Sequence, residues 1–406
     1  MQRESAWPMV SVAEALQVVS HISRTPLGID MIAPHLAIGR VLAETVLAPA
    51  DMPAEPRATV DGYAIRTSDG DGPRQVIAEL TAGGGERIVL APGQATRIMT
   101  GAPLPAGADA AVMVERTQEM DGVLTYQGSV RAGECILPVG NDMRLDDVVI
   151  PAGATISAGD VGLLTNIGLS LVAVYRRPIV AVLSTGDEVY EYDEPLPYGG
   201  VRDSNRHALM AAIQASGCEA RSLGIARDDQ ELQRQKIIEG LMQTDVLITS
   251  GGVSMGTKDF IKPLLADIGT VHFGRIAFKP GKPTMCATVG ERIMFGLPGN
   301  PVSSLVSFEV FVRPALRRLM GDATPDRPRV PVHLLEPIMP SPDRPEYQRA
   351  VVRWQDGQLV ASTTGAQGSS RLLSMRAANA LLVIAPGDMR LQAGSVVEAL
   401  IIGEIR

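Results

Sequence analysis

Three carboxylates, two lysines and several glycine-rich turns carry the side chains and spacing that could do chemistry on a phosphate. Glu188 closes the run Ser184-Thr185-Gly186-Asp187-Glu188, Asp228 sits in Arg227-Asp228-Asp229, and Asp259 comes after the run 249–258, which holds Ser250, Gly251, Gly252 and Ser254. Carboxylates are hard oxygen donors, and a set of them beside phosphate oxygens suits a water-carrying cation such as Mg²⁺. Glycines at 251, 252 and 299 let backbone N–H groups point at an anion, above all where a helix begins, as one should after Pro298-Gly299-Asn300-Pro301. Lys279 and Lys282 add point charges. Each piece has a plainer reading. Asp228 could equally cap a helix beginning near Gln230, Glu188 could be a solvated loop residue, the glycine pair a tight turn and the lysines surface charge. What favours chemistry is convergence, because five polar loops at one place exceed what caps and turns require. Two further segments, 59–64 with Asp61 and 99–105 with Thr100, read from chemistry alone as a turn and a strand-end hydroxyl.

These residues need a scaffold, and the sequence from Pro178 onward supplies one. Strand patterns over 179–183, 220–225, 246–250, 271–277, 284–289 and 292–295 alternate with helical patterns over 206–216, 230–242 and 260–268. A last helix opens at Asn300-Pro301, with a kink expected at Pro314 and an end at Gly321. The alternation predicts an α/β multidomain protein with a doubly wound parallel sheet and helices on both faces. Ligands collect beyond the carboxyl ends of such strands, and each of these polar loops comes directly after a strand, so the loops should share one rim. Elsewhere, 11–47 carries helical patterning, 57–146 carries short β-rich runs between glycine turns, and helical patterning resumes at 157–167. The β-rich part therefore reads as an insertion. The expected domains are 1–47 with 147–177, the insertion 48–146, the α/β domain 178–325, and a C-terminal β-barrel or sandwich over 326–406.

Composition sets outer bounds. The chain of 406 residues is too long for one ordinary core of about 150 residues. With 45% hydrophobic and 20% charged residues it has ample material to bury. A net charge of −8 opposes binding to nucleic acid, so any anionic ligand must meet a local basic pocket. No apolar run approaches the roughly 20 residues of a membrane span, and no signal-peptide pattern opens the chain. Cys135, Cys218 and Cys286 are far apart and the five histidines are dispersed, which argues against disulfides or a Cys/His zinc site and for buried thiols in a reducing cytoplasm.

Taken in order, the segments 61–64, 99–112, 184–189, 203–205, 249–260, 279–283 and 297–304 resemble the molybdopterin molybdenumtransferase family, which includes the E domain of gephyrin. The resemblance runs nearly the whole length. It implies insertion of molybdenum from molybdate into adenylylated molybdopterin, with Mg²⁺ or a similar cation and release of AMP. It further implies that the helical domain is elongated, and that the protein is a homodimer whose site joins one subunit's α/β domain to the other's insertion. On that basis Glu188, Asp228 and Asp259 would position metal and phosphate, and Lys279 and Lys282 would neutralise ligand charge. The loops 250–254 and 298–301 would wrap the pterin phosphate and the anion, with 184–187 beside them. Asp61, Thr100 and Asp142 would close the site from the partner subunit, while Arg349 and Ser369 would contact molybdate. Arg275 stands where the family usually has lysine, and the segment 136–141 lacks the family's basic residues. Other proteins of molybdenum cofactor biosynthesis would be partners. Two other readings stay open: a molybdopterin adenylyltransferase, and a diverged scaffold that binds a partner protein.

Overall fold

The computed structural model describes residues 8–83, 87–253 and 260–405. The chain forms two compact units. The larger holds Met1–Glu44, Ala152–Val161 and Ser170–Arg406, and the smaller holds Thr45–Pro151 with Gly162–Leu169.

At the centre of the larger unit is a six-stranded sheet in the order Glu219–Ala226, Ile179–Thr185, Val246–Ser250, Arg292–Leu297, Met285–Val289, Thr270–Phe273. The strands Ile179–Thr185 and Val246–Ser250 are apolar almost throughout because both sheet faces are covered. Helices Ser204–Ala215 and Pro301–Ser307 pack on one face through Leu209, Ile213, Val302 and Val306. On the other face, Gln230–Gln243 and Ile261–Ile268 bury Ile237, Leu241, Ile261 and Leu265.

The parallel arrangement expected from the sequence needs one correction. Met285–Val289 runs antiparallel to both neighbours. Only Gly290 and Glu291 separate it from the next strand, and a two-residue turn can join antiparallel strands but never a parallel crossover. Gly290 supplies the required positive φ of 57°.

The last helix keeps going past Pro314. Five residues, Phe308–Val312, widen into a π-turn before Arg313–Leu319 resumes the α-helix. Proline has no N–H to give the preceding turn, and the wider turn absorbs that loss. The end falls at Gly321, as expected, with φ 70°; a Cβ there would run into the Tyr175 ring.

Helical patterning over 11–47 is also corrected. Only Val12–Ile22 is α-helical, opened by a capping box between Ser11 and Glu14. Pro26, Gly28 and Pro34 interrupt the remainder of that stretch, and Ile29–Ile32 instead pairs antiparallel with Val172–Tyr175. The C-terminal region is a closed barrel of Arg329–Leu334, Gln358–Thr363, Glu346–Gln355, Ala380–Ile384 and Val396–Ile401, with its own apolar core. In the smaller unit a six-stranded sheet orders Ala110–Met113, Gly62–Ile65, Gln94–Ile98, Arg74–Leu80, Val123–Tyr126, Thr117–Met120. Among the described residues no helix is long and apolar enough to cross a membrane.

All three cysteines are free, and two sit in the core of the larger unit. Burial pushes the Cys218 thiol up to about 12 and raises that of Cys286 as well. The thiolate is the reactive form, so both should resist a disulfide reagent at pH 8. The expected result is no labelling of Cys218 or Cys286 in the folded protein and full labelling in guanidinium, read by peptide mass. Rapid native labelling of either would contradict the packing.

Candidate active site

A cleft of about 690 Å³ opens beyond the carboxyl edge of the central sheet. Four of the expected loops line it: 184–188, the turn at Asp228, 250–253 and 298–301. The fifth, 279–283, contributes Pro283, and the barrel contributes Ser370.

Glycines make these loops fit. Gly251 has φ 93°, and a Cβ there would lie 2.8 Å from the Thr185 carbonyl oxygen and 2.9 Å from its Oγ1. At Gly186, φ is 136° and a Cβ would meet the Glu188 carboxylate. The Gly251 N–H donates to the Leu297 carbonyl (3.0 Å), joining two loops, and Gly252 continues the turn at φ 66°. Asn205 ties the same pair from the side, its Nδ2 donating to Ser250 Oγ and to the Gly299 carbonyl, both at 2.8 Å. Asn300 and Pro301 begin the helix as the sequence indicates, with Asn300 at the cap position.

The acidic residues divide their work. Asp229, not Asp228, is the helix cap, accepting from the Leu232 N–H at 2.7 Å. Asp228 and Glu188 line the cleft. The Asp187 carboxylate accepts from the Asp228 N–H at 3.0 Å and so fixes the turn. Ser184 faces inward, its hydroxyl donating to Asp203 Oδ1 at 2.8 Å, while Arg206 Nε donates to Asp203 Oδ2 at 2.8 Å. Ser254 and Asp259 lie outside the described residues. Among the described residues no group of three or more His, Cys, Asp or Glu side chains could hold a metal ion. The pair Glu188 and Asp228 still fits Mg²⁺, which takes one or two carboxylates and completes its shell with water and ligand phosphate.

Two of the basic residues, Lys279 and Arg349, are engaged by the barrel and do not line the cleft. Lys279 turns to the barrel, where its ammonium pairs with Glu346 and donates to Ser341 Oγ at 3.3 Å. Lys282 is half-buried, and its carbonyl accepts from the Ile276 N–H at 2.9 Å. Arg275 is half-buried too, and its carbonyl accepts from the Val10 N–H at 3.1 Å. Arg349 is buried in the barrel; its Nε donates to Ser374 Oγ (3.1 Å) and its Nη2 to the Gly368 carbonyl (3.1 Å). Burial lowers its guanidinium to about 10, against the opposing charge of Glu346. It thereby holds the turn whose Ser369 carbonyl accepts the Val302 N–H (3.1 Å) and whose Ser370 reaches the cleft. Sequence reasoning missed Arg202 and took Asn205 only as part of the segment 203–205; both line the cleft.

In the smaller unit, Asp61 and Thr100 meet. The Thr100 N–H and hydroxyl both donate to Asp61 Oδ1, at 2.7 and 2.8 Å. Those two bonds, the backbone one foremost, hold the Asp61 carboxyl below its usual range and keep it ionised. Asp142 is exposed in a turn, its N–H donating to the Met52 carbonyl at 2.9 Å.

Fold and cleft define a multidomain α/β protein with a polar, glycine-lined cleft on the carboxyl edge of its sheet. The comparisons with known proteins sharpen that class. The family models for the MoeA N-terminal region (domain I and II), a probable molybdopterin binding domain and the MoeA C-terminal region (domain IV) match residues 10–168, 181–318 and 331–402. A molybdopterin molybdenumtransferase of Bacillus subtilis is 31% identical over 97% of this chain and 94% of its own. Gephyrin of Dictyostelium discoideum is 34% identical over all of this chain, which spans 64% of gephyrin's length. A crystal structure of the molybdopterin biosynthesis MoeA protein of Pyrococcus horikoshii, 26% identical, covers 97% of this chain and 100% of its own with a TM-score of 0.83. The chain belongs to the MoeA family, that of the molybdopterin molybdenumtransferases.

Proposed function

We propose that this chain inserts molybdenum from molybdate into adenylylated molybdopterin and releases AMP. The observation that carries the reading is the cleft itself. Its lining brings together two carboxylates, Glu188 and Asp228, and glycine turns at 251–252 and 299. The Gly251 N–H is spent on the Leu297 carbonyl, which leaves the turns at Gly252 and Gly299 as the ones whose backbone N–H groups would receive phosphate. Asn205 keeps two of those loops in register. Glu188 and Asp228, with Asp259 as a third, would hold Mg²⁺, whose charge would offset that of the phosphate oxygens. Lys282 and Arg275 belong to the loop that supplies Pro283 to the cleft and would meet the oxoanion side. Asp61 and Thr100 would act from a second copy of the chain in a homodimer, with Asp142 beside them. A reducing cytoplasm and delivery to other proteins of molybdenum cofactor biosynthesis complete the reading.

The test is to incubate the purified chain with adenylylated molybdopterin, molybdate and Mg²⁺. Stoichiometric AMP release with molybdenum incorporation is expected, and EDTA should suppress it. Adenylylation of molybdopterin by ATP, with no AMP release in the first mixture, would replace this reading with the adenylyltransferase one.

A further inference from the structure

The cleft must receive an anionic ligand although acidic side chains stand on its lining. Glu188 and Asp228 bring negative charge to it, and the Lys279 ammonium is committed to Glu346 outside the lining. Among the described residues that line it, Arg202 is the one basic side chain.

Arg202 ends the short strand Val201–Arg202, one residue before Asp203, the cap of the helix Ser204–Ala215. Its Nη1 donates to the main-chain carbonyls of Glu191, at 2.7 Å, and Glu194. Carbonyl partners fix the direction of a guanidinium without neutralising it. Its Nε and Nη2 make no hydrogen bond or ion pair with described residues, and the side chain is exposed. Arg206, in the first turn of that helix, is the opposite case. Its Nε serves Asp203, its Nη1 serves Ser222 and its Nη2 pairs with Glu191, so it is spent on the fold. The two arginines thus divide into a structural one and an open one. A guanidinium with two free donors on one edge matches two oxygens of a phosphate.

We propose that Arg202 binds the phosphate of the nucleotide-bearing ligand, an assignment that rests on the proposed molybdenum-inserting function. The probe is AMP, titrated calorimetrically into the full chain with Mg²⁺ at low and high NaCl, comparing wild type with R202A and R202K. Losing a charge-assisted contact should weaken AMP about 10- to 100-fold in R202A. R202K should recover part of that loss, and the salt dependence of R202A should be the flatter. Because Arg202 also anchors the loop at 191–194, a melting curve accompanies each variant; an unchanged Tm with weakened AMP supports binding over folding. Equal AMP affinity and equal salt dependence in wild type and R202A would overturn the assignment of Arg202 and leave the functional reading standing. A wild-type chain that binds neither AMP nor adenylylated molybdopterin would overturn both.

Discussion

Replacing Asp228 by Asn should cut AMP release from adenylylated molybdopterin by about 100- to 1000-fold, since the amide keeps the shape of the side chain but removes the charge that would hold a cation. Raised Mg²⁺ should recover part of the rate, because the defect lies in affinity as well as in charge. The neighbouring residue provides an internal control. Asp229 caps the helix Gln230–Gln243 through the Leu232 N–H, so Asp229→Ala should cost about 1 kcal/mol of stability while leaving turnover per folded molecule near wild type. A D228N enzyme working at the wild-type rate across Mg²⁺ concentrations would reduce Asp228 to a loop residue.

Gly251→Val is expected to abolish ligand binding and destabilise the chain by about 2–4 kcal/mol. Two independent causes act there. The φ of 93° disfavours any Cβ, and the added atoms would press on the Thr185 carbonyl and hydroxyl at 2.8 and 2.9 Å. Strain alone can be isolated at Gly133, where φ is 86° but nothing lies within 4 Å, so Gly133→Ala should cost about 1 kcal/mol. Thermal melts of both variants, with AMP titration for the first, separate the two causes. A Gly251→Val protein that melts and binds like wild type would mean the loops are not packed as described.

The sequence exposed the sheet because burial on both faces leaves an unmistakable mark, runs such as 179–185 with no polar residue before Ser184. It exposed the rim because more glycine and acidic residues gather at these strand ends than turns and helix caps require. Direction was harder. The sign of strand 285–289 hung on the length of one turn at 290–291, which periodicity does not register. The stretch 23–47 misled because apolar spacing there serves an edge strand and turns, with Pro26, Gly28 and Pro34 the contrary signal. Side-chain commitments were the least legible. Lys279 and Glu346 are neighbours only because the loop pairs with the barrel, and Asp61 finds Thr100 only through antiparallel pairing of Gly62–Ile65 with Gln94–Ile98. Arg202 and Arg206 look alike in sequence; which of them is spent on carboxylates is a property of the packed loop.

The turn at 367–370 gives the C-terminal barrel a standing beyond that of an appendage. Arg349 anchors it from within the barrel, Ser369 takes the first free amide of the helix at Pro301, and Ser370 lines the cleft. Loosening the barrel interior far from the cleft should therefore register first as a weaker grip on the ligand, at temperatures where the α/β sheet is still intact.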